Sequence, residues 1–494
     1  MDKKKTEART GLDREADSPL YRQVRRTIEG GIASGRFDLA TPLPSSRALA
    51  LEMGVSRNTV NSAYQELLSE GFVSSRPRSG LYVNQDLLSH IKLEHRDDNA
   101  PVEAVNWPTR LHAGLDVGLQ EVQKIPDWHQ FRYPFIAGQI EAPAFPALAW
   151  SRVLRESLHY PHLHFSLRDG ISADDPLFVE ALRSHILPAR GIEAHDDEML
   201  ITMGSQEGLW LLSQALLGPG SVVAVEEPGY LDARHVFQRA GASLLPLLVD
   251  SSGVVPPDDL GGVDLLHLTP SHQHPTNVTL SIGRRRQLML LANRCDAIIV
   301  EDDYDSELRY QGSPSPSLKA LDETGRVVYL GTFSKFLAPG LRLGYLVGDA
   351  RLIAHLREQR RYSIRHPPGH VQRAMALFIL SGQYHRAVRH HRIALRRKWE
   401  RMHEALALEF PFAVSNPPGG VSIWVEGPPG FDGVALADRL LDQGVIIERG
   451  DIYFLDPSAH RNCIRLGFSA IPLDAIRSGL HIVGEAAKEQ LVSG

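Results

Sequence analysis

Between residues 19 and 83 the apolar positions recur at helical spacing. Leu20, Val24, Ile28 and Ile32 fall four residues apart, so one stripe of a helix faces a core, and Gly35 stops it. Pro44-Ser45-Ser46 opens a shorter helix that carries Arg47, Leu49 and Ala50 and closes at Gly54. Ser56 offers a cap to a third helix, whose Val60, Ala63, Tyr64, Leu67 and Leu68 share one face until Gly71. Two short runs, 72–75 and 81–83, flank Arg76-Pro77-Arg78-Ser79-Gly80 and predict a hairpin. From Asn84 to about Gln130 the periodicity lapses among Asp, His, Asn and Pro, which reads as a linker. Beyond it, helix patterns alternate with β-branched runs at 222–225, 265–268, 297–300, 327–330 and 344–347. Such alternation predicts a mainly parallel sheet covered by helices. The expected divisions are a helical unit over 17–84, a linker over 85–130 and an α/β unit over 131–494.

Composition narrows the class. A chain of 494 residues that is 43% hydrophobic has material for two or more cores. The formal net charge is −6, and residues 1–90 hold 13 basic against 11 acidic groups. A nucleic-acid face therefore has to come from local placement of arginine, not from bulk charge. The first 17 residues are charged throughout, with no apolar core of a signal peptide, and no run approaches the roughly 18 apolar residues of a membrane span. Two cysteines allow neither a disulfide framework nor a Cys-rich zinc site. The expectation is a soluble, cytoplasmic protein with no membrane partner and no metal.

Two groups of residues carry chemistry. The third helix presents Arg57, Asn58, Asn61, Ser62 and Gln65 on its polar face, side chains that reach base edges or phosphates when a helix lies in the major groove. A protein-interaction module with a solvated face has the same pattern. In the second unit, Lys335 follows the run 327–330, and a lysine at the carboxyl end of a parallel strand sits where open α/β sheets bind ligands. There its amine can form a Schiff base with an aldehyde cofactor. Asp302 follows 297–300 at the same sheet edge, where a buried carboxylate pairs with a pyridinium nitrogen, and Tyr304 is placed to donate to a ring oxygen. Gly204-Ser205-Gln206 start a helix after the strand 199–202, a ready anion site, to which Arg342 adds a charge-assisted donor. Tyr230, in Glu227-Pro228-Gly229-Tyr230, is placed to stack on the ring. Singly each is an ordinary strand-end residue; the combination is the signal.

The stretch Leu43-Pro44-Ser45-Ser46-Arg47, then Gly54-Val55-Ser56-Arg57-Asn58-Thr59-Val60, Ala63-Tyr64 and Glu70-Gly71, resembles the winged helix-turn-helix of the GntR family. That resemblance implies DNA contacts from Arg47, Ser56, Arg57, Asn58 and Thr59, with Arg76 and Arg78 on a wing at the minor groove. Residues 130–490 resemble fold-type I pyridoxal-phosphate aminotransferases, which implies pyridoxal 5'-phosphate as cofactor and gives Arg465 the role of gripping an acidic head group. Two departures stand out. His274-Pro275-Thr276-Asn277 replaces the usual Asn-Pro-Thr-Gly, so the Asn that bonds the ring oxygen is missing, and residues 165–176 take the place of a Tyr-Gly-Asp-Pro-x-Gly segment without matching it. Thr269-Pro270-Ser271-His272-Gln273 is similar to aminotransferase-shaped regulators, and the whole chain resembles the MocR branch of the GntR family. The implied fold is multidomain, a winged helix joined to an α/β transferase-like domain. The implied function is a homodimeric, operator-binding regulator in which the cofactor's Schiff base senses an amino compound: an amino acid, 4-aminobutyrate, a taurine-like acid, or pyridoxal phosphate itself. An aminotransferase with an accessory DNA-binding domain, and a repressor that keeps the cofactor only structurally, are the competing expectations.

Overall fold

Three helices and a hairpin follow the apolar stripes of the first unit. Helices Leu20–Ala33, Ser46–Met53 and Arg57–Ser69 bury Val24, Ile28, Leu49, Val60, Ala63 and Leu67 against one another. The hairpin of β1 (Val73–Arg76) and β2 (Gly80–Val83) closes the core with Val73 and Val83. The local start and stop signals act as read. Ser45 Oγ accepts from Ala48 N at 3.2 Å, Ser56 Oγ accepts from Thr59 N at 3.1 Å, and Gly54 takes φ 64°, a left-handed conformation that glycine adopts without strain. Arg25 bonds Glu29, Glu66 and Glu70 and so fastens the first helix to the third.

The computed structural model describes residues 18–38, 40–77, 79–84, 105–110, 125–305, 307–313, 315–335, 337–410, 412, 414 and 416–493. Arg78 and most of the expected 85–130 linker lie outside them. The chain divides into two compact units, Met1–Leu111 and His112–Gly494, a division that falls within that expected linker.

The second unit is built on an eight-stranded sheet. Its strands are β4 (Met199–Thr202), β5 (Val222–Glu227), β6 (Ser243–Asp250), β7 (Gly253–Val254), β8 (Leu265–Leu268), β9 (Ile298–Asp303), β10 (Val327–Thr332) and β11 (Gly344–Val347), ordered β4-β11-β10-β9-β8-β5-β6-β7. The ladders β6-β5-β8-β9-β10 are parallel, and β11 runs antiparallel between β10 and β4. Alternate residues face opposite sides, so both faces are apolar and both are covered. Helices Ser205–Leu216, Leu231–Arg239 and Ala350–Ser363 cover Val223, Val225, Leu330 and Leu346; helix Ile282–Cys295 covers Leu266, Leu268, Ile299 and Val327. The expected strand 297–300 in fact continues through Asp303, which puts Asp302 inside β9 and not beyond it.

A second sheet was not foreseen. β12 (Ser422–Glu426), β13 (Val445–Arg449) and β14 (Cys463–Gly467) join β3 (Tyr133–Phe135) in the order β12-β14-β13-β3, under helices Gly433–Leu441 and Ile476–Ser493. Among the described residues no helix is long and apolar enough to cross a membrane.

Candidate functional site

On the first unit, Arg47, Ser56, Arg57 and Asn58 are exposed and Thr59 is half-buried. Arg57 and Asn58 begin the third helix, whose cap holds them at its amino end; Arg57 Nε donates to Ser46 Oγ at 3.3 Å. Asn61, Ser62 and Gln65 continue the exposed polar face. Arg76 lies over the Tyr82 ring at 4.1 Å, so its guanidinium is held on the hairpin.

On the second unit the chemistry-bearing residues gather at the carboxyl ends of the parallel strands. Asp302 is buried in β9 opposite Leu330 of β10, and Lys335 follows β10 by three residues. Asp302 Oδ2 lies 3.6 Å from His267 Nε2 on β8, while Oδ1 is buried with no protein partner. The Tyr304 hydroxyl is likewise buried and unpartnered, and burial, with Asp305 nearby, pushes its pKa well above the ordinary phenol value. These are an acceptor and a donor left open within protein, the pair that a protonated pyridine nitrogen and a ring oxygen would satisfy.

The anion cradle comes from β4, β11 and the helix Ser205–Leu216. Gly204 precedes that helix at φ 80°, and no side chain caps it. Arg342, itself left-handed at φ 46°, donates from Nη2 to Met203 O at 2.9 Å, and a Cβ on Gly204 would sit 3.1 Å from the same Nη2. Glycine thus lets the guanidinium lie against the helix start, where dipole and cation favour an anion together. Gln206 is turned to a neighbour instead: the Tyr230 hydroxyl donates to Gln206 Oε1 at 3.2 Å and to Asp232 Oδ2 at 3.1 Å.

His274 fills the wall where the aminotransferase asparagine would be. Its ring sits edge-on to Tyr230, Tyr453 and Tyr304, with centroids 5.1, 5.2 and 5.8 Å away. Burial, and then the positive charges of Arg465 and Lys335, hold its pKa well below the usual histidine value, so the imidazole is neutral. Buried Glu226 places the preceding loop: it accepts from Thr269 N and Oγ1 and from Gln273 Nε2, and Thr269 Oγ1 accepts from His274 N at 2.9 Å. Asn277 stands at φ 60° where the aminotransferase pattern has glycine, a conformation that Asn tolerates.

Arg465 is buried in the middle of β14. Nε donates to Ser422 Oγ at 2.9 Å, and Nη1 reaches Glu448 Oε2 at 3.3 Å and the Tyr453 hydroxyl at 3.4 Å. Asn277 Nδ2 donates to the same Ser422 Oγ, which ties the loop after β8 to β12 at this point. One cavity is lined by Lys335, Tyr304, Arg465, Gly138, Ile140 and His391. The sequence pointed to neither His267 nor the Ser422–Glu448–Tyr453 set around Arg465. His267 left a trace, as a polar residue inside the apolar run 265–268; the rest depended on the register of an unforeseen sheet.

A winged helix followed by an aminotransferase-type domain defines a class of regulators, and the comparisons agree with it. Residues 20–83 match the family model of bacterial regulatory proteins of the gntR family, and residues 172–481 match aminotransferase class I and II. The chain is 40% identical to the HTH-type transcriptional regulator TauR of Rhodobacter capsulatus over 95% of its own length and 96% of the relative's. It is 33% identical to the probable rhizopine catabolism regulatory protein MocR of Rhizobium meliloti over 76% and 74% of the two chains. The solved kynurenine aminotransferase of Pyrococcus horikoshii superposes with a TM-score of 0.68 and 28% identity, over 82% of this chain and 99% of that one. The protein belongs to the MocR branch of the GntR family: a gntR-type winged helix joined to an aminotransferase class I and II domain.

Proposed function

We propose that this protein is a DNA-binding transcription regulator whose second unit holds pyridoxal 5'-phosphate and uses it to sense an acidic amino compound, controlling genes for that compound's metabolism. The observation that carries the reading is the pair of buried, unpartnered groups, Asp302 Oδ1 and the Tyr304 hydroxyl, at the sheet edge that also bears Lys335. When bound, the cofactor supplies an aldehyde that condenses with primary amines and a ring that withdraws electrons. Lys335 would anchor it covalently, Asp302 keep the ring nitrogen protonated, and Tyr304 donate to the ring oxygen. The backbone N–H groups of Gly204, Ser205 and Gln206 at the helix start, with Arg342, would hold the phosphate, and Tyr230 would lie along the ring. Arg465 would select an acidic head: an amino acid, 4-aminobutyrate or a taurine-like acid. Arg47, Ser56, Arg57, Asn58 and Thr59 would meet the operator, with Arg76 on the wing, and the working form would be a homodimer in the cytoplasm.

The alternative, a working aminotransferase with an accessory head, draws on the same residues but lacks the asparagine that His274 replaces. Two variants separate the readings. Lys335→Ala is expected to abolish the cofactor's near-visible absorption band while the protein stays folded; an unchanged spectrum would refute the assignment. Arg465→Ala is expected to keep cofactor and operator binding but lose the response to an acidic amine. Release of keto product over many turnovers by the unaltered protein would favour the enzyme.

A further inference from the structure

Arg465 is already engaged at both of its gripping edges. A guanidinium holds a carboxylate or sulfonate best through two parallel N–H bonds from one edge, either Nε with Nη2 or Nη1 with Nη2. Here Nε is committed to Ser422 Oγ, and Nη1 to Glu448 Oε2 and the Tyr453 hydroxyl. An incoming anion must displace something. Ser422 is the firmer partner, at 2.9 Å and fixed in turn by Asn277. Glu448 is held at 3.3 Å, its side chain is 17% exposed, and it is the one carboxylate within ion-pair reach of Arg465 among the described residues. It is also the direct cross-strand neighbour of Arg465, so the register of β13 on β14 builds the pair into the sheet. Its other oxygen, Oε1, accepts from Ala137 N at 3.1 Å. The next residue, Gly138, lines the cavity with Lys335, and a Cβ there would lie 3.1 Å from Lys335 Nζ.

We propose that Glu448 is the internal counter-ion of the effector site, an acidic side chain that the ligand's acid group has to replace at Arg465. The inference rests on the reading of Arg465 given above. It makes Glu448 a selectivity residue. A neutral amine leaves the Arg465–Glu448 pair intact and gains nothing from it. An anionic amine must outcompete a carboxylate already in place, so only a head group able to use two donors at once succeeds. The competition also reaches the segment that carries Ala137 and Gly138, because the carboxylate that is released is the one that holds Ala137 N.

The test uses the full-length, cofactor-loaded protein, titrated with taurine, 4-aminobutyrate and n-butylamine while the absorption band is followed. Glu448→Gln keeps an acceptor for Ala137 N and removes the competing charge. Tighter binding of the two acids, by about fivefold or more, with the n-butylamine constant changed less than about twofold, is the expected result. Unchanged or weaker binding of the acids would show that Glu448 merely positions Arg465, and it would overturn the proposal, as would the absence of any acid-induced shift in both proteins. Arg465→Ala distinguishes the two levels. If that variant loses the acids while Glu448→Gln gains nothing, only the counter-ion proposal fails; if it still answers the acids at their usual concentrations, the reading of Arg465 fails as well.

Discussion

Removal of the Arg57 side chain separates recognition from folding. The residue opens the third helix, its side chain is exposed, and within the protein it gives one long hydrogen bond, 3.3 Å from Nε to Ser46 Oγ. The cap that starts the helix belongs to Ser56 and Thr59, which Arg57→Ala does not touch. Truncation should therefore change stability by no more than about 0.5 kcal/mol, as for an exposed surface position. On DNA the same change removes one base or phosphate contact, about 1–3 kcal/mol, or roughly 5- to 150-fold in Kd. Fluorescence anisotropy with an operator duplex at several salt concentrations measures this and assigns the contact. A phosphate contact lowers the slope of log K against log salt by about 1, whereas a base contact leaves the slope and relaxes sequence preference. Wild-type affinity in the variant would refute the docking face, and so would an affinity loss matched by unfolding of the first unit.

Acid should destabilise the second unit. Burial, with Lys398 nearby, lowers the His391 pKa to about 4, and burial with Arg465 and Lys335 holds His274 well below the usual histidine value. Below about pH 6.5 the unfolded chain takes up protons that these folded sites refuse, so stability is full above that value and falls as the pH drops; for His391 the loss is about 1.4 kcal/mol by pH 5.5. Five of the six tryptophans lie beyond residue 111, so tryptophan fluorescence melting follows mainly the second unit; His391→Gln should flatten the acid limb, and an unaltered limb counts against the assignment. Gly344→Ala should weaken cofactor retention and cost about 1–3 kcal/mol, because a Cβ there meets the backbone of Gly204 and Gly331 at 2.9 Å, atoms that cannot rotate aside. Equilibrium dialysis of the cofactor and the melting temperature read the two effects, and a variant that matches the parent in both refutes the close-approach argument.

The elements that sequence made legible are those whose signals are local. The helix stripe Leu20–Val24–Ile28–Ile32, the caps at Ser45 and Ser56 and the apolar runs of β8 and β11 each depend on neighbours a few residues away. Lys335, Asp302 and the Gly204 turn were legible because strand ends in a parallel sheet converge whatever the loops do. The small sheet was not, since β3 is three residues long, lies more than 300 residues before β13 and pairs with it in parallel. With that sheet went everything that depends on its register: the Glu448–Arg465 pair, the Ser422 link and the burial of Arg465 itself.

The departure at 274–277 from the aminotransferase pattern looks from sequence like a simple loss; the structure gives both of its exchanged residues a physical content. Asn277 keeps the left-handed backbone that glycine would supply, and its side chain donates to Ser422, the hydroxyl that also receives Arg465 Nε. The substitution thus exchanges an open turn for a polar tie between the loop after β8 and Ser422 of β12. His274 keeps a polar group at the wall but changes its proton inventory. An asparagine amide offers a donor and an acceptor at any pH, whereas a neutral imidazole offers one of each at positions set by its tautomer. Its Nδ1 is buried without a protein partner, and three tyrosine rings surround it. The chain keeps Lys335, Tyr304 and Arg465 around one cavity while it exchanges the asparagine of the pattern for His274. On the reading proposed above, that asymmetry, binding groups kept and one side chain replaced, is what a sensor requires and a fast transaminase does not.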